Sequence, residues 1–139
     1  MVQWLPVFHA ASAWMLCGLI WFVQLVHYPL LLRVGTGTFS GYELAHQRLT
    51  GRLVAPLMLA ELAAAVLLCG FRPGAAAYAG LALLGLIWGS TFLVQMPLHA
   101  RLGAQHDPVL IRRLIRSNWL RTLAWTLRGL LAAALLGGS

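Results

Sequence analysis

An all-α bundle of four transmembrane helices is the fold that this sequence predicts, and three observations predict it. Sixty per cent of the 139 residues are hydrophobic and 9% are charged, which excludes an ordinary soluble domain. Four apolar segments, at about 7–32, 53–71, 75–100 and 117–136, are each long enough for a helix that crosses a bilayer core. We therefore expect a single integral membrane domain over residues 1–139.

An internal repeat is the third observation, and it indicates how the four segments are arranged. At a shift of 68 positions Pro29 aligns with Pro97. Repeat one covers about 7–69, and repeat two covers about 75–136. Further pairs at the same shift are Arg33 with Arg101, Gly35 with Gly103, and Arg48 with Arg116. Each repeat crosses the membrane twice, so both have the same orientation. This predicts a pseudo-two-fold axis along the membrane normal.

The basic residues predict the topology. All ten are arginine, and eight lie near the connections between segments one and two and between three and four: Arg33, Arg48, Arg52, Arg101, Arg112, Arg113, Arg116 and Arg121. The positive-inside rule makes these connections cytoplasmic, with both termini outward in a bacterial inner membrane. The lipid bilayer is then the partner of this charge, and no nucleic-acid binding is expected.

Two sequence signals predict where the second helix of each hairpin begins. Ser40 followed by Glu43 matches a capping box, with Ser40 as the N-cap. Asp107–Pro108 matches the start of the fourth helix, because aspartate caps a helix and proline suits its first position.

Two prolines inside apolar segments predict interruptions of the first and third helices. Pro29 and Pro97 each remove a backbone hydrogen bond and free a carbonyl one turn earlier. Gln24 and Gln95 lie close enough in sequence to serve those carbonyls, and a ligand-binding role for the glutamines is the alternative.

A charged residue in the middle of a span predicts a buried ion pair. Glu61 lies near the centre of segment two, and Arg128 lies at almost the same depth in segment four. An ionisable residue inside a bilayer is a functional hypothesis, so we expect Glu61 and Arg128 to pair either for function or only to lock the bundle. Arg128 also continues a stripe on segment four that contains Asn118, Arg121 and Trp125.

Histidines and one glutamate cluster near the cytoplasmic ends and suggest a metal centre. Glu43 and His46 are three residues apart and share a helical face. The candidate ligands are His27, Glu43, His46 and His99, for a transition-metal ion, with haem on the histidines as a second candidate. The alternative is that Glu43 serves the capping box and the histidines lie at the interface.

The same region predicts a substrate pocket. The candidate catalytic residues are His27, His46 and His99. The candidate substrate-binding residues are Gln24, Tyr28, Gln95, Trp21, Trp88 and Trp125. All four helices can point polar or aromatic residues inward, so we expect these side chains to converge in the bundle interior.

Three further residues are assigned from their positions alone. Cys17 and Cys69 lie in the outward halves of segments one and two, where they form a disulfide or pack as small apolar residues. His9 is expected at the outward interface rather than at a binding site.

Two short motifs resemble those of known membrane proteins. The pattern Gln24-x-x-His-Tyr-Pro29, followed by Tyr42-Glu-x-x-His46, resembles a broad bacterial family of uncharacterised four-span membrane proteins, and more distantly the anthrone-oxygenase-like proteins. The segment from Gln95 to His99 extends the likeness into the second half. The resemblance implies a small membrane oxygenase or related redox protein that acts on a hydrophobic aromatic substrate.

The sequence is therefore compatible with three alternative functions. The first is a membrane oxidoreductase or oxygenase-like enzyme whose hydrophobic substrate reaches the pocket from the lipid. The second is a small channel or carrier that uses Glu61 and Arg128 and forms a homo-oligomer. The third is a structural or accessory membrane protein in which the polar residues only set helix pairing.

Overall fold

A computed structural model describes residues 4–137, and their fold is a bundle of four long helices. We label them α1 (Leu5–Leu31), α2 (Thr36–Phe71), α3 (Ala75–Ala104) and α4 (Pro108–Gly137). Each is long and apolar enough to cross a membrane, and no strand occurs among the described residues. The predicted all-α, four-span fold is confirmed, and the chain is a multi-pass membrane protein.

Helices that follow one another along the chain are neighbours in the bundle, and the last helix packs against the first. α1 packs against α2 and α4, and α3 likewise packs against α2 and α4. A two-fold axis along the bundle would exchange α1 with α3 and α2 with α4 and leave these neighbours unchanged. The packing is thus the one that the predicted symmetry requires.

The two prolines act through π-helical turns. α1 contains a five-residue π-helical segment, Val23–His27, and α3 contains another, Thr91–Gln95, at the same 68-residue shift that relates the repeats. In each segment the wider turn closes with a backbone hydrogen bond between residues five positions apart. In α1 this bond runs from the Tyr28 N–H to the Val23 carbonyl. The repeat therefore extends from sequence to local backbone geometry.

The glutamines beside these turns do not serve the carbonyls that the prolines free. Gln24 instead donates from Nε2 to the Ile115 carbonyl of α4 at 3.1 Å. Gln95 donates from Nε2 to the Ser117 hydroxyl of α4 at 2.9 Å. Both glutamines are buried, so they connect α1 and α3 to the same stretch of α4.

The predicted capping box at the start of α2 is wrong, whereas the predicted cap of α4 is confirmed. α2 begins at Thr36, so Ser40 and Glu43 already lie inside the helix and Glu43 is free for tertiary contacts. At α4 the Asp107 carboxylate accepts from the Val109 N–H at 2.8 Å.

One end of the bundle carries the exposed arginines, as the topology prediction expected, with one exception. Seven of the eight arginines assigned to the basic connections are exposed: Arg33, Arg48, Arg52, Arg101, Arg112, Arg113 and Arg116. Arg121 is the exception, because it is buried with 7% of its surface exposed. α4 therefore places two arginines inside the bundle, Arg121 and Arg128.

Small residues pack in the half of the bundle that contains the N-terminal end of α1 and the C-terminal end of α4. Ala10, Ala13 and Ala132 form a buried cluster between α1 and α4. At Gly129 an added Cβ would lie 3.1 Å from the Trp14 indole, so glycine lets this indole pack closely against α4. Cys17 is buried and Cys69 is half-buried, and both are free, which favours the packing alternative over a disulfide.

Candidate functional site

A cavity of about 520 Å³ lies between the four helices, within the size range of small-molecule sites. Its walls are largely apolar and include Leu16, Ile20, Met58, Trp88 and Phe92. The lining residues that are also exposed on the outside of the bundle all belong to α2 and α3: Gly51, Ala55, Phe92, Met96 and Ala100. The mouth of the cavity therefore lies between α2 and α3 and faces the lipid.

A hydrogen-bonded chain of three side chains closes the cavity toward the basic end. His99 Nδ1 lies 2.5 Å from Glu43 Oε1, and His99 Nε2 lies 2.9 Å from the Tyr28 hydroxyl. Tyr28 and Glu43 are buried, and the side chain of His99 is 13% exposed. Helices α1, α2 and α3 each contribute one residue, so the chain exists only when the bundle is assembled.

These contacts assign the proton on the His99 ring. A carboxylate only accepts hydrogen bonds, so His99 donates from Nδ1 to Glu43, and its Nε2 then accepts from the Tyr28 hydroxyl. Gln47 adds a second support, because its Nε2 donates to Glu43 Oε1 at 3.2 Å and to the His99 carbonyl at 2.7 Å. The imidazole is thereby held in one tautomer and one orientation.

The other two candidate catalytic histidines lie beside this chain. The His46 ring centroid is 5.3 Å from that of His99, and its Nδ1 shares a hydrogen bond with Thr50 at 3.0 Å. His46 lines the cavity. His27 stacks on the far side of His46 at 4.3 Å and lines a shallow groove with Tyr42, outside the main cavity.

The predicted substrate-binding residues divide into two groups. Tyr28, Gln95, Trp88 and Trp125 line the cavity. Gln24 lies away from it, where its Oε1 accepts from Asn118 Nδ2 at 2.9 Å.

Trp21 also lies away from the cavity. Its Nε1 donates to Thr126 at 3.0 Å, and its ring packs edge-on against Trp119. Gln24 and Trp21 thus serve the contact between α1 and α4.

Arg121 lines the cavity next to the Tyr28 end of the acid–base chain. Its NH1 donates to Asn118 Oδ1 at 3.2 Å, its guanidinium lies 5.2 Å from the Trp125 ring centroid, and it faces the Tyr28 hydroxyl. The stripe on segment four predicts an inward position for this residue, although it also counts among the arginines near the basic connections, and it is not among the predicted site residues. Gln47 was missed as well, although it follows Glu43 by four residues and shares its helical face.

The predicted ion pair between Glu61 and Arg128 is present, in the half of the bundle away from the exposed arginines. Arg128 Nε lies 2.9 Å from Glu61 Oε1, and both side chains are almost completely buried. Trp125 Nε1 donates to the other carboxylate oxygen at 3.1 Å, and Arg128 NH1 donates to the Gly80 carbonyl. Neither charged residue lines the cavity.

His9 completes the surroundings of this ion pair and corrects its own assignment. Its Nε2 lies 3.2 Å from Arg128 NH2, and the residue is 5% exposed, so it is not interfacial. Its sequence position near the outward end of α1 gave no signal of this contact.

The proposed metal ligands converge but do not present a metal-binding set. Within residues 4–137 no group of three or more histidine, cysteine, aspartate or glutamate side chains is arranged to hold an ion. Glu43 and Tyr28 occupy both ring nitrogens of His99, and His27 and His46 meet face to face through their rings. The same contacts leave His99 no free nitrogen for a haem iron, whereas His27 Nε2 is buried without a hydrogen-bond partner, so the metal and haem hypotheses stay predictions.

Fold and site together define a multi-pass membrane protein with an apolar, lipid-facing cavity and a polar chain at one end. No protein-family model, curated protein or solved structure matches this chain. The resemblance to the four-span and anthrone-oxygenase-like proteins stays a prediction.

Proposed function

We propose that this protein takes a hydrophobic small molecule from the bilayer into the central cavity and acts on it by acid–base chemistry. The observation that carries the proposal is the position of the His99–Glu43 pair, at one end of an apolar cavity whose mouth opens between two lipid-facing helices. Such a cavity with a few convergent polar groups is typical of a small-molecule site.

The chemistry follows from the hydrogen bonds around His99. A substrate group at this end of the cavity passes its proton to the Tyr28 hydroxyl oxygen, and the hydroxyl passes its own proton to His99 Nε2. Glu43 accepts the Nδ1–H bond, which orients the imidazole and stabilises the imidazolium when Nε2 takes up a proton. His99 is thus the proposed base, with Tyr28 as its relay and Glu43 as the residue that positions it.

The resemblance adds a reaction class to this proposal. An oxygenase or related redox enzyme acting on an aromatic substrate would use the cavity for binding and the His99 chain for proton removal, with dioxygen as the oxidant. The aromatic walls formed by Trp88, Phe92 and Trp125 support an aromatic substrate.

The location of the protein belongs to the same proposal. The exposed arginines gather at the connections α1–α2 and α3–α4, and the positive-inside rule makes that end cytoplasmic. Both termini then face outward from a bacterial inner membrane, and the acid–base chain lies in the cytoplasmic half.

A channel through Glu61 and Arg128 is not favoured by any contact of these residues. Each is bonded to the other and neither borders the cavity, so they do not line a polar path among the described residues. We assign the pair a packing role in the outward half of the bundle.

A binding measurement with a blocked mouth tests the proposal. Gly51 lines the mouth, whereas Gly41 lies on the same helix outside the cavity, and an added Cβ meets nothing within 4 Å at either. Binding of neutral anthracene to protein in lipid nanodiscs, read by tryptophan fluorescence, should be lost in Gly51→Trp and kept in Gly41→Trp. Equal binding by both variants would show that the cavity is not the site.

A second variant tests the chemistry separately from binding. His99→Gln keeps a polar side chain of similar reach and should still bind anthracene. Membrane extracts incubated with wild type and with this variant, compared by mass spectrometry, should differ in a hydrophobic product that only the wild type forms. Formation of the same products by both proteins would refute His99 as the base.

A further inference from the structure

One of the two buried arginines makes no direct contact with a carboxylate among the described residues. The chain has only three acidic residues, and all three are engaged. Glu61 pairs with Arg128, Glu43 pairs with His99, and Asp107 caps α4. Arg121 therefore has no carboxylate partner within the described residues, although 93% of its surface is buried, since only 7% is exposed.

The contacts that Arg121 does make are with neutral groups. Asn118 accepts one hydrogen bond, Tyr28 presents a hydroxyl, and Trp125 lends the face of its ring. These groups orient the guanidinium, but none carries a negative charge. The Nε–H of Arg121 is also buried without a hydrogen-bond partner among the described residues. A buried guanidinium that no carboxylate contacts is costly, and inside a membrane such a residue is a functional hypothesis by default.

The position of Arg121 indicates where an anionic group would bind. The guanidinium lines the cavity beside the Tyr28 hydroxyl, which in turn contacts His99. Its planar fork matches the two oxygens of a carboxylate. The rest of the cavity is apolar, and Trp88, Phe92 and Trp125 supply flat aromatic surfaces.

We propose that the cavity ligand is an aromatic carboxylate whose charged group pairs with Arg121 while its ring system lies among the aromatic walls. The inference rests on the proposed function, because it names the class of molecule that the same cavity binds. It also explains why a buried arginine stands beside an acid–base chain instead of pairing with a protein carboxylate.

The test compares two probes that differ only in charge. Anthracene-2-carboxylate and anthracene-2-carboxamide are titrated at pH 7.5 into protein in nanodiscs of zwitterionic lipid, with empty nanodiscs as the reference. Wild type should bind the carboxylate more tightly than the carboxamide. Arg121→Gln should weaken carboxylate binding about thirtyfold and leave carboxamide binding unchanged. Arg116→Gln, an exposed arginine on the same helix, should keep the full preference.

Each other outcome overturns a defined part of the reasoning. Equal affinity of wild type for the two probes overturns the carboxylate inference but leaves hydrophobic binding in the cavity standing. A carboxylate preference that survives in Arg121→Gln shows that another group binds the carboxylate, which overturns the assignment to Arg121. Failure of wild type to bind either probe overturns the inference and the proposed function together.

A second measurement covers the case in which Arg121→Gln does not fold. Arg121→Lys keeps the positive charge without the planar fork. The carboxylate should raise the Tm of wild type and of Arg121→Lys by more than the carboxamide does at the same concentration. Equal stabilisation by the two probes in wild type would overturn the inference without any need for the glutamine variant.

Discussion

Arg128 and Arg121 form a natural pair of probes, because they are two helical turns apart on α4 and both are buried, yet only Arg128 has a carboxylate partner. Arg128→Met removes the partner of Glu61 and leaves that carboxylate buried with only the Trp125 indole N–H as a donor. Breaking a buried pair from one side typically costs about 3–5 kcal/mol. We expect Arg128→Met to lower the free energy of unfolding by about 3 kcal/mol.

Arg121→Met should behave differently, because it removes a charged group that makes no contact with a carboxylate. The variant loses the bond to Asn118 and the contact with the Trp125 ring, each worth about 1 kcal/mol, and it also removes the cost of burying the guanidinium. The two effects have opposite sign. We therefore expect Arg121→Met to be at least about 2 kcal/mol more stable than Arg128→Met.

Unfolding in mixed micelles of mild detergent and SDS, followed by far-ultraviolet circular dichroism, measures both variants under one condition. The double variant Glu61→Gln/Arg128→Met is the control. It removes both charges and keeps an acceptor for the Trp125 indole, so it should recover most of the lost stability. Equal destabilisation by Arg121→Met and Arg128→Met, or no recovery in the double variant, would refute the claim that Arg128 pairs with a buried carboxylate and Arg121 does not.

Three further predictions concern other contacts. Gly129→Leu should destabilise the bundle by about 1–3 kcal/mol in the same unfolding assay, because the new side chain displaces the indole of Trp14; an unchanged stability would contradict the close approach. Asp107→Ala should cost about 1 kcal/mol, and Asp107→Asn, which still accepts from the Val109 N–H, should cost less; equal losses would argue against the cap. Glu43→Gln should reduce product formation far more than anthracene binding, because it removes the group that orients His99, and a parallel loss of both would indicate a purely structural role for Glu43.

The depth of polar residues in the sequence was enough to predict the ion pair. Glu61 and Arg128 lie at matching distances from the ends of their segments, and a bilayer leaves two such charges few alternatives to pairing. Arg121 carries two signals in the sequence, because it lies near a basic connection and also belongs to the stripe with Asn118, Trp125 and Arg128. Only the packing of α4 shows that its side chain points into the cavity.

The histidine cluster was predicted by spacing, but its chemistry was not. Spacing on each helix put His27, His46 and His99 near one end, and they do lie side by side there. The partner of each ring atom depends on distances between helices. Those distances make Glu43 a hydrogen-bond partner of His99 instead of a helix cap.

By itself the sequence determined the number of spans, the repeat and the basic end, because hydropathy, proline position and arginine content act locally along the chain. The tertiary structure alone decided which polar groups meet. Glu43 and His99 are 56 residues apart, and Glu61 and Arg128 are 67 apart, so their contacts depend on helix rotation and packing. The cavity and the arginine that no carboxylate contacts arise in the same way, from the space that four packed helices leave between them.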